Sequence, residues 1–234
     1  MQALGVSHIA WLAIFSGLGI SLVTALLLVW SKRWHGAFSM DSAHGIQKFH
    51  TTPAPRIGGV ALCMGALGLW YGLSNGDSGQ LAETHHLLGL VLLGSIPAFA
   101  AGLVEDITKK VSVKTRLLAT ALSGLLFALL TGYWVNSVHI PGVDTLLALA
   151  PVGILFTAFA VSGIANSVNI IDGLNGLASG VVVLMLLTLA TIAFRVGDPV
   201  VLQLALGGVA VVLGFMLLNF PKGLIFLGDA GAYS

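Results

Sequence analysis

The feature that most constrains this chain is a series of long apolar stretches separated by short polar connections. A membrane-spanning α-helix needs about 20 predominantly apolar residues. Only 8% of the residues are charged, against about 25% in soluble domains, too few to cover a water-exposed surface. We therefore predict an all-α, polytopic transmembrane helix bundle. Seven stretches reach or approach the required length: Ile9–Trp30, Ile57–Leu73, Leu87–Val104, Leu117–Val135, Leu146–Ala165, Gly176–Phe194 and Val200–Leu218.

The short connections predict one membrane-embedded domain over residues 1–234, with about seven full spans plus the start of an eighth. Pro97 lies inside the third stretch and is expected to kink its helix, which neighbouring helices can compensate. A net charge of +1 gives no bulk signal for nucleic-acid binding, and the single cysteine, Cys63, excludes an internal disulfide framework. No basic residue precedes the first stretch, which therefore predicts a retained helix with its N-terminus outside.

The basic residues give the orientation when the connections are assigned alternately to the two sides. All but one of the ten Lys and Arg residues fall on one side, and only Arg195 falls on the other. Cytoplasmic loops carry an excess of Lys and Arg, so the basic side is predicted to be cytoplasmic. Its members are Lys32, Arg33, Lys48, Arg56, Lys109, Lys110, Lys114, Arg116 and Lys222.

The acidic residues divide in a similar way. Ionisable groups at the membrane edge are costly and point to function, although a helix end that reaches water is the alternative. Four acids fall in outer turns, where they are expected to be solvated: Asp77, Glu83, Asp144 and Asp198. The other five fall on the predicted cytoplasmic side: Asp41, Glu105, Asp106, Asp172 and Asp229.

The first polar cluster is the segment QKFHTTPAPRIGG, residues 47–59. Its two prolines disfavour helix and stiffen the segment. Lys48, His50 and Arg56 then form a basic patch beside the start of the next helix, an arrangement that suits phosphate or another anion. An ordinary basic cytoplasmic loop is the alternative.

The second cluster is GLVEDITKK, residues 102–110, where two adjacent carboxylates end an apolar helix. Lys109 follows Glu105 and Asp106 at helical spacing, so the three share a face if the helix continues. Paired carboxylates can take a proton or hold Mg²⁺, which commonly uses one or two carboxylates together with waters and substrate phosphates. A solvated loop with salt bridges is the alternative.

The third cluster is NSVNIIDGLNGLA, residues 166–178, an unusually polar segment in an apolar context. Amide and carboxylate groups at a membrane edge are costly unless they are hydrogen-bonded. Asn166, Asn169, Asp172 and Asn175 could bind a polar ligand such as a nucleotide base or sugar. A turn rich in Asn and Gly is the alternative.

The fourth cluster is NFPKGLIFLGDAG, residues 219–231. Asp229 stands between glycines after a short apolar stretch, which leaves room for a metal ion and its waters. Taken alone, this pattern is a weak signal.

In this order, the four clusters resemble the polyprenyl-phosphate N-acetylhexosamine-1-phosphate transferases, relatives of the phospho-N-acetylmuramoyl-pentapeptide transferases. The resemblance covers about residues 41–234, and the form PAPRIGG is most similar to the branch that initiates O-antigen and capsule synthesis. It implies transfer of an N-acetylhexosamine-1-phosphate from a UDP-sugar to undecaprenyl phosphate, with release of UMP, at the cytoplasmic face of a bacterial inner membrane. It also implies Mg²⁺, with Mn²⁺ as a substitute, and allows a homodimer.

The resemblance implies a role for individual residues. The catalytic candidates are Glu105, Asp106 and Asp172, and Asp106 is favoured as base because the family usually has Asp where Glu105 stands. Asp229 is the implied metal ligand, with Asp106 as a second. Asn175 replaces a second Asp of many relatives, so a charged role there is excluded. The implied substrate-binding residues are Lys48, His50, Arg56, Lys109, Asn166, Asn169 and Asn175.

The resemblance further implies helices and a histidine-bearing loop after GDAG, so the chain is expected to be a fragment with weak or no activity by itself. Two other classes of function remain as alternatives. A transporter would place ionisable residues near the midplane, accessible from both faces, whereas here they lie at one face. A non-catalytic membrane scaffold would not need Asp106 or Asp229.

Overall fold

Helices dominate the computed structural model, which describes residues 7–39, 54–76 and 79–233. The prediction of an all-α polytopic bundle is confirmed. Asp41, Lys48, His50 and Asp77 lie outside the described residues. The described helices are α1 (His8–Trp30), α2 (Lys32–Ser39), α3 (Gly58–Leu73), α4 (Gly79–Thr108), α5 (Val113–Thr131), α6 (Val143–Leu147), α7 (Ala150–Ile171), α8 (Leu177–Val196), α9 (Pro199–Asn219) and α10 (Gly228–Tyr233).

Six of the described helices are long and apolar enough to cross a membrane: α1, α4, α5, α7, α8 and α9. The predicted second span corresponds to α3, which has only 16 residues and is shorter than a typical span. Large apolar side chains such as Phe15, Phe159 and Leu184 remain more than half exposed on the outer faces. Exposed apolar surface of this extent is unfavourable in water and suits contact with lipid.

Small residues allow the central helices to approach closely. Helix α1 packs against α3 and α9. A Cβ on Gly65 would lie 2.7 Å from the Ser21 Cβ, and one on Gly214 would lie 2.5 Å from the Leu18 carbonyl oxygen. Small residues are favoured at such crossings because packing, rather than the hydrophobic effect, joins helices in lipid. Of the six described spans, α9 is the most enclosed: 61% of its most apolar stretch is buried, against 17–28% in the other five.

The bundle has two chemically distinct ends because successive helices alternate in direction. At one end, Trp70 of α3 stacks on His85 of α4 with ring centroids 4.8 Å apart. There the Thr84 hydroxyl also donates to Gln203 Oε1 of α9 at 3.0 Å. Arg195 belongs to this end, since it lies in the last turn of α8 just before α9 begins. The acidic and basic side chains described below meet at the opposite end.

Two helix boundaries differ from the predicted ones, and the second of them affects the site. Helix α5 ends at Thr131 rather than Val135, because Gly132 takes a left-handed conformation and caps it. Helix α7 continues to Ile171, beyond the predicted end at Ala165. Asn166 and Asn169 are therefore helical rather than part of a loop, and Ile171 packs into the apolar core beside them.

Pro97 lies within α4, where its ring removes one helical N–H. The next backbone N–H, that of Ala98, donates to the Ser123 Oγ of α5 at 3.0 Å. A neighbouring helix thus supplies an acceptor where the helical ladder is interrupted, in agreement with the expectation for a proline inside a bundle.

Candidate active site

Asp229 is the centre of a buried polar cluster at one end of the bundle, and only 4% of its surface is exposed. Its Oδ1 accepts from Asn169 Nδ2 at 3.0 Å and lies 3.5 Å from Arg56 Nη2. Its Oδ2 accepts from Arg116 Nη1. These donors come from α7, from the segment before α3 and from α5, so three separate parts of the chain converge on one carboxylate.

The backbone before α10 is fixed to the start of α3. Phe226 donates its N–H to the Pro55 carbonyl at 2.8 Å, and Gly58 donates to the Phe226 carbonyl at 3.0 Å. Gly228 has a φ of +72°, and a Cβ there would lie 1.9 Å from the Arg56 carbonyl oxygen. Only glycine combines this left-handed conformation with such a close approach, so Gly228 sets where α10 begins and where Asp229 stands.

Glycines also bring α10 against α3 and α4. A Cβ on Gly59 would lie 2.3 Å from the Gly231 backbone nitrogen. One on Gly102 would lie 2.6 Å from both the Cα and the backbone nitrogen of Ala230. The glycines of the first, second and fourth sequence clusters thus have a packing role, since they let α10 sit deep between two longer helices.

Asp106 lies in the last turn of α4, and its side chain is fully buried. Its Oδ1 accepts from the Asp229 backbone N–H at 2.8 Å, and its Oδ2 accepts from the Ala230 N–H at 2.9 Å. The carboxylate therefore caps the start of α10, where free N–H groups and the helix dipole favour negative charge. Arg56 Nη2 lies 3.9 Å from the same Oδ1.

Asp172 follows directly after α7 and is partly buried. Burial raises the pKa of this carboxyl to about 6, and the negative charge of Asp229 acts in the same direction, whereas Arg56 opposes the shift. Within the described ranges, no side-chain or backbone donor forms a hydrogen bond to its carboxylate. Asp172 is thus the carboxyl of the cluster with the most freedom to exchange a proton.

The cluster can supply part of a metal coordination shell. Among the described residues, no three His, Cys, Asp or Glu side chains converge closely enough to enclose an ion by themselves. Mg²⁺ does not need such a cage, because it binds through one or two carboxylates and completes its octahedron with waters and substrate phosphates. The buried Asp229 carboxylate, whose charge also acts on the Asp172 carboxyl, fits that requirement.

Several predicted site residues lie in other environments. Glu105 Oε2 accepts from the Val111 N–H at 2.7 Å, which closes the turn after α4. Lys109 lies exposed in that same turn, with a φ of 55°. Asn166 Nδ2 donates to Thr120 Oγ1 and to the Ser162 carbonyl, between α5 and α7.

Asn175 lies beside the connection between α9 and α10, where its Nδ2 donates to the Pro221 carbonyl at 3.2 Å. Its Oδ1 is buried with no hydrogen-bond partner. Asn175, Asn166 and Glu105 therefore make local structural contacts, whereas Arg56, Asp106, Asn169, Asp172 and Asp229 form the cluster.

Arg116 is the residue of the cluster that the sequence did not single out. It lies in the first turns of α5, where the sequence indicated only a basic residue on the cytoplasmic side. Its positive charge also acts on the Tyr233 hydroxyl, whose pKa is raised mainly by burial. Nothing in the local sequence relates Arg116 to Asp229, because 113 positions separate them.

The fold and this cluster define a multi-pass membrane protein with a buried acid–arginine centre at one end of its bundle. A sequence model of glycosyl transferase family 4 matches residues 88–234. This match covers more than half of the chain, and the chain belongs to that family. The family that the four sequence clusters resemble is thereby confirmed.

Named relatives support the same assignment. The chain is 31% identical to a probable undecaprenyl-phosphate N-acetylglucosaminyl 1-phosphate transferase of Bacillus subtilis, over 80% of this chain and 49% of the relative. It is 32% identical to a phospho-N-acetylmuramoyl-pentapeptide-transferase of Synechococcus sp., over 93% and 63%. A decaprenyl-phosphate N-acetylglucosaminephosphotransferase of Mycobacterium tuberculosis is 28% identical, over 78% and 48%. The chain thus spans between about half and two thirds of the length of these relatives.

Proposed function

We propose that this chain carries the centre of a phospho-sugar transferase. It transfers an N-acetylhexosamine-1-phosphate from a UDP-sugar to undecaprenyl phosphate, and UMP leaves. The observation that carries the proposal is the convergence of Arg56, Arg116 and Asn169 on Asp229 at one end of a membrane bundle. Such a site can hold a water-soluble diphosphate next to a lipid whose tail remains in the bilayer. Membership of this family does not support a function as a transporter.

The chemistry follows from the substrates. An oxygen of the lipid phosphate forms a bond to the β-phosphorus of the UDP-sugar, and the bond from that phosphorus to the bridging oxygen breaks. UMP keeps the bridging oxygen and the electron pair. Such transfers depend mainly on alignment and on neutralisation of charge, with little covalent help from the protein.

Arg56 and Arg116 are the groups of the cluster that neutralise the diphosphate. Guanidinium groups remain charged at all working pH values and bind phosphate oxygens through paired donors. We keep Lys48, His50 and Lys109 as further phosphate-binding residues, as the resemblance implies. Asn169 holds Asp229 in place, and Asn166 and Asn175 support the walls of the site through their contacts with α5 and with the connection before α10.

We assign Mg²⁺ to Asp229, and we expect Mn²⁺ to be able to substitute for Mg²⁺ there. When bound, the ion supplies charge neutralisation for the diphosphate and for the leaving UMP. The second predicted ligand, Asp106, uses both carboxylate oxygens to accept backbone N–H groups. We therefore assign Asp106 mainly to positioning Asp229, and leave substrate phosphates and waters to complete the metal shell.

Asp172 is our preferred acceptor for the proton of the lipid phosphate. Its pKa of about 6 lies near that of a phosphate monoester's second ionisation. A proton acceptor works best when its pKa lies close to the working pH. Asp106 and Glu105 are the other acids proposed from the sequence, and each already accepts backbone hydrogen bonds.

The orientation belongs to the proposal as well. The end that carries the cluster also carries all the described basic residues except Arg195. This asymmetry supports our assignment of that end to the cytoplasmic face of a bacterial inner membrane. The N-terminus then lies outside. The bilayer, undecaprenyl phosphate and the UDP-sugar are the proposed partners, and a homodimer is compatible with this arrangement.

The test is UMP release by membranes in which the gene is expressed, with undecaprenyl phosphate and a panel of UDP-N-acetylhexosamines, with and without Mg²⁺. We expect Mg²⁺-dependent release with at least one sugar, and loss of at least about 100-fold in Asp229→Asn. Arg195→Gln, at the opposite end of the bundle, is the matched control and should retain full activity. Equal UMP release by wild type and Asp229→Asn would contradict the proposed function.

A further inference from the structure

The three donors to Asp229 are not equivalent. Arg116 engages Oδ2, whereas Arg56 and Asn169 share Oδ1. Arg116 is also the more enclosed of the two arginines, with 17% of its side chain exposed against 29% for Arg56. The oxygen that is free of Arg56 and Asn169 is therefore covered by a permanent cation.

A divalent cation that binds through Oδ2 competes with this guanidinium for the same oxygen. Two positive charges a few ångströms apart repel strongly where the surroundings exclude water. A metal ion that binds Asp229 through Oδ2 must therefore displace Arg116 from that oxygen. Arg116 cannot lose its charge in response, because an arginine stays protonated in proteins. It needs a new anionic partner when it leaves Asp229.

The diphosphate of the nucleotide sugar is the anion that fits this need. Its oxygens can accept hydrogen bonds from the paired N–H groups of a guanidinium. Arg56 lies next to the Asp229 carboxylate and can bind the other side of the diphosphate. The side chain of Arg116 is anchored at the start of α5, so it stays within reach of the cluster after it releases Asp229.

We propose that Arg116 is a resident counter-ion of Asp229 that exchanges its carboxylate partner for the substrate diphosphate and thereby couples metal binding to nucleotide binding. The inference rests on the proposed function, and it adds a positioning residue that makes the two ligands bind cooperatively. By linkage, the nucleotide must raise the affinity for metal by the same factor as the metal raises the affinity for nucleotide. Couplings of this kind are typically about 5–150-fold.

The experiment measures Mn²⁺ binding to the purified chain in nanodiscs by electron paramagnetic resonance, with and without UDP. For the wild type we expect UDP to tighten Mn²⁺ binding at least about fivefold. For Arg116→Gln we expect tighter Mn²⁺ binding than wild type without UDP, weaker UDP binding, and a coupling below about twofold. A purely structural role for Arg116 would instead weaken the binding of both ligands.

Three further variants complete the design. Arg195→Gln should match wild type in all measurements. Arg116→Lys keeps the charge without the paired donors, so we expect an intermediate coupling between Mn²⁺ and UDP binding. If Arg116→Gln does not give a monodisperse protein, Arg116→Lys tests the counter-ion role in its place. Asp229→Asn should lose Mn²⁺ binding.

The experiment distinguishes failure of the metal assignment from failure of the counter-ion role. Unchanged Mn²⁺ affinity in Asp229→Asn would overturn the metal assignment, and this inference with it. Loss of Mn²⁺ binding in Asp229→Asn, combined with wild-type coupling in Arg116→Gln or in Arg116→Lys, would overturn the counter-ion role alone.

Discussion

The carboxylate of Asp106 accepts a hydrogen bond from the backbone N–H of Asp229, 123 positions further along the chain. Its other oxygen accepts the N–H of Ala230. The second acid of the ED pair is therefore bound to the backbone that carries the fourth cluster. Through this contact the end of α4 determines where the Asp229 carboxylate stands among its arginines.

We expect Asp106→Asn to disturb both stability and activity. An amide offers one acceptor only, and its NH₂ group would face a backbone N–H, leaving a buried donor unpaired. The free energy of unfolding should fall by about 1–3 kcal/mol. Turnover should fall by about 100-fold, because a small displacement of a catalytic group has a large effect on rate. Thermal unfolding in detergent and UMP release measure the two effects.

Glu105→Gln is the matched control for that substitution, since a glutamine oxygen can still accept from the Val111 N–H. We expect less than about 1 kcal/mol of destabilisation. An Asp106→Asn protein that has wild-type stability but lacks turnover would contradict the positioning role and favour Asp106 as the base.

A second prediction concerns the fit of α10 against α4. In Gly102→Ala the new Cβ would lie 2.6 Å from backbone atoms of Ala230, which cannot move without displacing Asp229. We expect about 1–3 kcal/mol of destabilisation and loss of UMP release. In Gly19→Ala, also within a helix, nothing lies within 4 Å of the new atom, and no loss is expected. Equal melting temperatures for the two variants would refute the close packing.

A third prediction separates two asparagines that lie three residues apart on α7. Asn169→Ala removes a donor from Asp229 and should lower turnover about tenfold, with little change in stability. Asn166→Ala removes bonds to Thr120 and Ser162 and should cost about 1 kcal/mol of stability, with turnover nearly unchanged. Kinetics and thermal unfolding on the same preparations test this, and the reverse pattern would show that Asn166, rather than Asn169, serves the reaction.

A fourth prediction uses the raised pKa of Asp172. The folded protein binds this proton more tightly than the unfolded chain does, because the folded-state pKa is about 6 and the unfolded value is about 3.9. The ionised carboxylate therefore destabilises the fold, fully so above about pH 6, and stability increases as the pH falls toward about 4. Turnover of the wild type should rise through about pH 6, as Asp172 becomes able to accept a proton.

Asp172→Asn tests both effects. It should stabilise the protein by about 1–2 kcal/mol at pH 8, a value reduced for its partial exposure, and have no effect near pH 4. It should also lose most of its turnover. Unchanged stability at both pH values would show that Asp172 is not held in a desolvated position.

Much of the fold was predictable because it is encoded locally. A span is recognised from a continuous apolar stretch, and the alternation of spans gives the loops that share one end of the bundle. The errors in helix bounds came from residues that suit more than one structure. Asn166 and Asn169 are polar enough to indicate a loop, yet apolar neighbours such as Ile171 keep α7 helical past both of them.

The sequence also determined which four segments were predicted to carry the chemistry, because polar residues are conspicuous in so apolar a chain. Tertiary structure decided what each of them does. Glu105 and Asp106 are adjacent, yet one closes a turn and the other caps α10. Arg116 belongs to no cluster and contacts Asp229 only because α5 packs beside α4 and α7. Local patterns specify helices and their ends, whereas hydrogen bonds and ion pairs across more than 100 positions exist only once the helices have packed.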